Sequence, residues 1–452
     1  MKKVACLLLI ACFLFASCLF VTRVHASTSV GGLVSSDTTW DLAHSPYVLA
    51  GPVDVPEGLT LTIEPGVTID LAAHYIQIDG TLIAKGTSSE NIVLTSNGKW
   101  KTSTQTIEFM PTATDWNDQA QSGSIMENVL FNTTGVSIKG CSPKIDYDTF
   151  ADPGPTAINV VGGNPSILDN TINLFDSGIT ADGGTIMNNH IKEGGFTCPI
   201  TLSGDALFTG NVIDGGWDAV TLTGQVIFTG NTVMNVADIA VSAPSSLKIQ
   251  QNYVANSKIG ISGGGSIEGN TVTGNKIGIQ CASSASTTVH QNNIYNNTQH
   301  NVALTGALNI DASNNWWGTS DIQAINQTIY DAKDDFNLGT ATFVPILTSP
   351  SSEAPTAPGS VPSGTPEENG SPTPHTTETP TQPPNQSSLP IQNTTSPPLN
   401  QITNPFGGSG SAQLIVVVGL VAVAMAVAVC TIVLIRRRTL APKTPARRRK
   451  NR

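Results

Sequence analysis

The sequence predicts an all-β protein, a parallel β-helix of stacked coils, and three observations carry that prediction. An apolar-x-x-Asn-x-apolar hexad returns about every twenty residues, an alternating apolar motif follows most copies, and Gly, Asn and Asp fill the turns between them. The polar position of the hexad falls at Asn128, Asp148, Asn170, Asn189, Asn211, Asn231, Asn252, Asn270, Asn292 and Asn314. Three residues earlier stand apolar side chains such as Ile145, Phe208 and Ile267. Two residues later stand Leu130, Phe150, Val233, Val254 and Trp316, among others. The last unit departs from the rule, with Asp311 at the leading apolar position.

A period near twenty is too short for two packed helices with their turns, and the hexad sustains no 3.6-residue stripe. Short strands fit it. The second motif, seen as Gly135-Val136-Ser137-Ile138 and Ala219-Val220-Thr221-Leu222, has the two-residue alternation of a further strand. Each unit then supplies two or three strands, and stacked units pair every strand with its counterpart about 4.8 Å above and below. Asn suits the repeated corner because it tolerates a left-handed backbone and its amide can hydrogen-bond along the stack. The Asn column is therefore expected to be structural, and its branched apolar flanks to be core.

These repeats resemble the right-handed parallel β-helix proteins of the pectin-lyase-like superfamily, specifically their cell-surface, membrane-anchored members. Two further stretches carry the resemblance. Leu59 to Ile69 with Gly80 to Thr87 is similar to the opening coils of that family, and Asn314-Asn315-Trp316-Trp317-Gly318-Thr319 to its closing coil. The resemblance spans residues 31–347 and implies the fold more strongly than any activity, since one such coil hosts lyases, hydrolases, adhesins and inert spacers.

The flanks place the β-helix at a cell surface. A basic start, an apolar run from Val4 to Val21 and a small-residue site at Val24-His25-Ala26 predict a signal peptide over 1–26. The β-helix follows over 27–347. Residues 348–411 are dominated by Pro, Ser, Thr and Gly and predict a disordered stalk. Ala412 to Ile435 holds no charged residue and, as a helix of about 36 Å, is long enough to cross a bilayer core of about 30 Å. Nine Lys and Arg between Arg436 and Arg452 then predict a cytoplasmic tail over 436–452, beneath a single-pass membrane protein with its β-helix outside. Beside a span, that basic run is a stop-transfer signal and implies no nucleic-acid partner. Sequons at Asn132, Asn296 and Asn326 in the β-helix, and at Asn369, Asn385 and Asn393 in the stalk, are candidate glycosylation sites.

Charge and composition narrow the chemistry. Residues 27–348 hold 29 Asp and Glu against 10 Lys, a net charge of −19, and no arginine occurs between Arg23 and Arg436. The resemblance implies an arginine base for pectate and pectin lyase chemistry, and this chain has none to supply it. The Gly-His-Gly and Arg-Ile-Lys elements of the related galacturonases are also missing. Polyuronates would moreover be repelled unless calcium bridged them.

One patch remains for carboxylate chemistry. Asp218 and Asp238 each lie seven residues after a ladder Asn and are expected to stack about 5 Å apart, with Asp214 and Trp217 beside them and Asp176 nearly in column. Such a pair could act as acid and base or hold calcium, and Trp217 could stack on a sugar ring. The plainer reading is a solvated acidic turn. Trp316 is expected to fill an inward slot with Trp317 over the last coil, and Asp331, Asp334 and Asp335 to form a solvated loop. His44, His74, His190, His290 and His300 show no metal-ligand interval, which disfavours the copper-associated branch of β-helix proteins. Cys141, Cys198 and Cys281 are odd in number and so cannot all pair, and Cys281 is expected to point inward.

The favoured reading is a non-enzymatic surface rod of about a dozen coils, with no cofactor, presenting a face to glycans or envelope proteins. The competing reading is a membrane-tethered polysaccharide hydrolase or lyase working through surface carboxylates.

Overall fold

A computed structural model describes residues 26–96, 106–152, 156–174, 177–193, 200–244, 247–281 and 287–360. Residues 1–25 of the predicted signal peptide, Asp176, Cys198, residues 361–411, the apolar segment 412–435, residues 436–452 and the sequons at Asn369, Asn385 and Asn393 lie outside them. Among the described residues no helix is long and apolar enough to cross a membrane.

The described residues form a right-handed parallel β-helix. Each middle coil contributes three short strands. Strands such as Ile227–Thr229 build a 14-stranded first ladder, while Thr232–Met234 and Ile239–Ala243 belong to the second and third ladders, joined in one 25-stranded sheet. Pairing is parallel throughout these ladders, as where Val233 meets Val254 and Val254 meets Val272. Both Val233 and Val254 are fully buried. Identical side chains stack where coils repeat them: the rings of Phe131 and Phe150 lie 4.3 Å apart and those of Phe208 and Phe228 5.6 Å, both nearly parallel. This stacked interior makes one continuous apolar column.

The polar ladder is real, but its work is divided between two adjacent residues. Each buried Asn accepts the backbone N–H of its counterpart one coil earlier: Asn189 N–H donates to Asn211 Oδ1 at 2.9 Å, Asn211 to Asn231 at 3.0 Å and Asn231 to Asn252 at 2.8 Å. Its Nδ2 donates to a carbonyl of the preceding coil, as from Asn231 to Phe208 O at 3.0 Å. The left-handed corner belongs instead to the residue before it. Asp169, Asn188, Gly210, Gly230, Gln251, Gly269 and Gln291 have φ between 53° and 66°. The amide therefore serves as a hydrogen-bond bracket, and its neighbour absorbs the turn.

That division corrects both ends of the predicted ladder. Asn128, with φ 54°, is a corner residue, and Val129 occupies the ladder column, where its N–H donates to Asp148 Oδ1 at 2.7 Å. Asn314, with φ 57°, is likewise a corner. Asn315 is the ladder residue and accepts Asn292 N–H at 2.9 Å. The hexad then regains its rule, because Ala312 and Trp317 become the flanking apolar residues and both are buried. Trp316, expected inward, is half-buried, and Asp311 is exposed outside the core. Leu130 similarly yields its inward slot to Phe131.

A second bracket, not anticipated from the sequence, closes the corner between the second and third ladders. Val236 N–H donates to Ser257 Oγ, Ser257 N–H to Asn275 Oδ1 and Asn275 N–H to Asn297 Oδ1, at 3.2, 2.9 and 3.0 Å. Here too a left-handed residue precedes each member: Asn235, Asn256, Gly274 and Asn296. The signal was present as a polar residue five positions after Asn252, Asn270 and Asn292.

The C-terminal end closes over the short helix Ile322–Gln327 and the turn that follows it. Asp331, expected in a solvated loop, is buried and accepts the N–H groups of Lys333 and Ala341 at 3.1 and 3.0 Å. Beyond it the chain turns back. Residues 348–360, expected as the start of the stalk, run along the outer face of the second ladder across successive coils. Ser351 N–H donates to Asn293 Oδ1 at 2.8 Å, Thr271 Oγ1 to Pro355 O at 2.6 Å, and Gly359 N–H to Thr232 Oγ1 at 2.9 Å. Ser351 and Ala354 are buried where this strap meets the sheet.

Candidate functional site

The predicted acidic patch is built differently from its expected stacking. Val220 pairs with Val241, so the coil of Asn231 spends one residue more between its ladder Asn and its third strand than the coil of Asn211 does. Asp218 consequently lies against Ile239, whose N–H donates to Asp218 Oδ1 at 3.1 Å, while Asp238 N–H donates to Trp217 O at 2.7 Å. Asp238 is also ion-paired with Lys258 at 2.8 Å. Asp214 stands on the second ladder and accepts from Asn235 Nδ2 at 2.6 Å. Each of the three carboxylates thus already holds a donor within the fold, which leaves none placed as a bare acid/base partner of another. Trp217 remains 49% exposed.

The histidines are dispersed. His44 pairs with Asp41 at 2.7 Å, His290 with Asp311 at 3.1 Å, and His300 packs its ring 5.1 Å from that of Tyr330, where burial lowers its pKa. Among the described residues no group of three or more His, Cys, Asp or Glu is gathered so as to hold a metal ion. Cys281 points inward in register with Leu304, as expected, and burial pushes its thiol up to about 12. Cys141 is buried as well and is pushed up to about 11. Thiols held so firmly neutral are poor nucleophiles and poor metal ligands. Of the sequons within the described residues, Asn132 and Asn296 are exposed and Asn326 is half-buried in the short helix.

The outward positions form registered columns. On the third ladder Asn159, Thr180, Thr201 and Thr221 follow one another on successive coils, and Ser242 and Ser262 continue the column. Between the first ladder and the strap lies a groove of about 470 Å³, which sequence reasoning missed because one of its walls is the supposed stalk. Gln250, Gln251, Glu268 and Gln291 line it from the coils, and Ser352 and Glu353 from the strap.

Residues 144–332, less than half of the chain, match a family described as periplasmic copper-binding protein (NosD), and residues 32–107 match a pectate-lyase like beta helix domain. Among curated proteins the chain is similar to Protein bark beetle of Drosophila melanogaster, with 43% identity over 67 residues. That stretch covers 15% of this chain and 2% of the relative. No solved structure matches the chain.

Proposed function

We propose that this chain, with its pectate-lyase-like opening coils and long parallel β-helix, is a non-enzymatic cell-surface protein that presents an extended face to glycans or envelope partners. A single span over 412–435 tethers it, with the β-helix outside and the basic tail in the cytoplasm. The observation that carries this reading is the registered outer surface. Successive coils repeat polar side chains about one strand spacing apart, which suits a long repetitive partner better than a small substrate. Support also comes from the patch at Asp214, Trp217, Asp218 and Asp238, where an exposed indole adjoins carboxylates already engaged by the fold.

The copper in the printed description of one matched family is said of that family and forms no part of this reading. The competing reading is a tethered polysaccharide-cleaving enzyme. Incubating the purified full-length protein with a polysaccharide panel separates the two: the proposal expects glycan retention without release of reducing ends or unsaturated uronides. Sustained, protein-dependent release of either would replace it with the enzymatic reading.

A further inference from the structure

We infer that the groove between the strap and the first ladder is a saccharide-binding cleft, selective for uncharged or N-acetylated sugars over uronates. This deepens the glycan-binding reading above and rests on it.

The strap is fastened on both sides of the groove, by Asn293 to Ser351 and by Thr271 to Pro355, so the wall carrying Ser352 and Glu353 is held in place before any ligand arrives. Gly269 forms the floor. Its φ of 61° belongs to the corner column, and a Cβ there would come within 2.8 Å of Glu353 O. A side chain at 269 would therefore displace the strap, and its absence opens the space between the flanking Gln251 and Gln291. The volume of about 470 Å³ falls within the range of small-ligand sites.

The lining sets the chemistry. Every side chain facing the groove ends in an amide, carboxylate or hydroxyl, which offers nothing to a lipid or an aromatic ligand. Gln250 Nε2 donates to Glu268 Oε2 at 3.1 Å and orients that carboxylate. Among the described residues no hydrogen bond within the protein engages the side chains of Gln251, Gln291 or Glu353. Paired amide donors and acceptors beside carboxylate acceptors match the vicinal hydroxyls and acetamido groups of a sugar. Glu268 and Glu353 leave the groove negative even with Lys248 3.9 Å from Glu268, so uronates and phosphates are disfavoured.

The test is an array of neutral, N-acetylated and uronate oligosaccharides probed with the full-length chain. It is repeated with Gln251→Ala combined with Gln291→Ala, and with Glu353→Ala. The cleft predicts binding to neutral or N-acetylated sugars that weakens about tenfold in the double variant and in Glu353→Ala, with unchanged thermal unfolding. Wild-type binding that survives both cleft changes overturns the cleft and leaves the broader reading standing. A preference for uronates overturns the assigned sugar class. Failure of the wild-type chain to bind any glycan removes the glycan reading itself, and the cleft with it.

Discussion

Asp148 Oδ1 accepts the Val129 backbone N–H at 2.7 Å, while Asp148 Oδ2, buried in the same ladder, has no hydrogen-bond partner. An Asn at this position in the other coils turns its Nδ2 toward a carbonyl of the preceding coil, as Asn170 does to Ile145 O at 3.0 Å. Asp148 presents an oxygen there instead. Burial lifts its carboxyl well above the usual carboxylate range, and the charges of Asp146 and Glu127 push in the same direction against the opposing pull of the Val129 N–H. Because the folded-state pKa is raised, this site's stabilisation is full below the unfolded value of about 3.9 and is lost as pH rises toward and through the folded value. Asp148→Asn restores the missing donor and should stabilise the protein by about 1–3 kcal/mol near pH 7, with a smaller gain at pH 4. Thermal unfolding of both proteins between pH 4 and 8 checks this, and a gain independent of pH would refute the protonation argument.

Asn211 fastens its own coil to the one before it. Its Oδ1 accepts both the backbone N–H and Nδ2 of Asn189, and its Nδ2 donates to Ile186 O at 2.9 Å. Asn211→Ala leaves these buried groups unpaired and should cost about 3–5 kcal/mol, at about 1–3 kcal/mol for each orphaned group with partial relaxation. Chemical denaturation measures the loss. A cost near that of an exposed Asn→Ala change would mean that the ladder is ornamental.

Gly230 separates backbone strain from space. Its φ is 66°, and the nearest atom to an added Cβ is Thr209 Oγ1 at 3.5 Å, an ordinary contact. Gly230→Asn should therefore be nearly neutral, whereas Gly230→Val should lose about 1–3 kcal/mol to the left-handed backbone alone. Equal stabilities of the two variants would show that the corner does not hold that conformation.

The strap has its own stability. Asn293→Ala removes the acceptor of Ser351 N–H and should raise amide exchange over residues 351–360 several-fold while leaving the strands of the third ladder protected. Exchange unchanged in that stretch would indicate that contacts other than this bond hold the strap down.

The coil period, the apolar interior and the existence of a polar column were legible because strand side chains alternate with a fixed period and each inward slot must be apolar. The column's ends were misplaced by one residue for a related reason. Asn is favoured both as a left-handed corner and as a bracket. At Gly230-Asn231 the residue types tell the two roles apart, but at Asn314-Asn315 two asparagines stand side by side and either could take either role. At the other end Asn128 has the right residue type in the wrong slot, because its coil places Val129 in the column. The register of Asp218 and Asp238 is offset by the same margin: one residue more between Asn231 and its third strand sets Asp238 against Trp217.

The sequence by itself determined that this chain stacks coils around an apolar column, since periodic burial is a local property of side-chain pattern. The tertiary structure alone decided which of two adjacent polar residues brackets each coil, which donors the carboxylates meet, and that residues 348–360 return to wall a groove. Those outcomes depend on register between coils and on hydrogen bonds to a segment whose composition carries no period, and neither leaves a repeating trace in the chain.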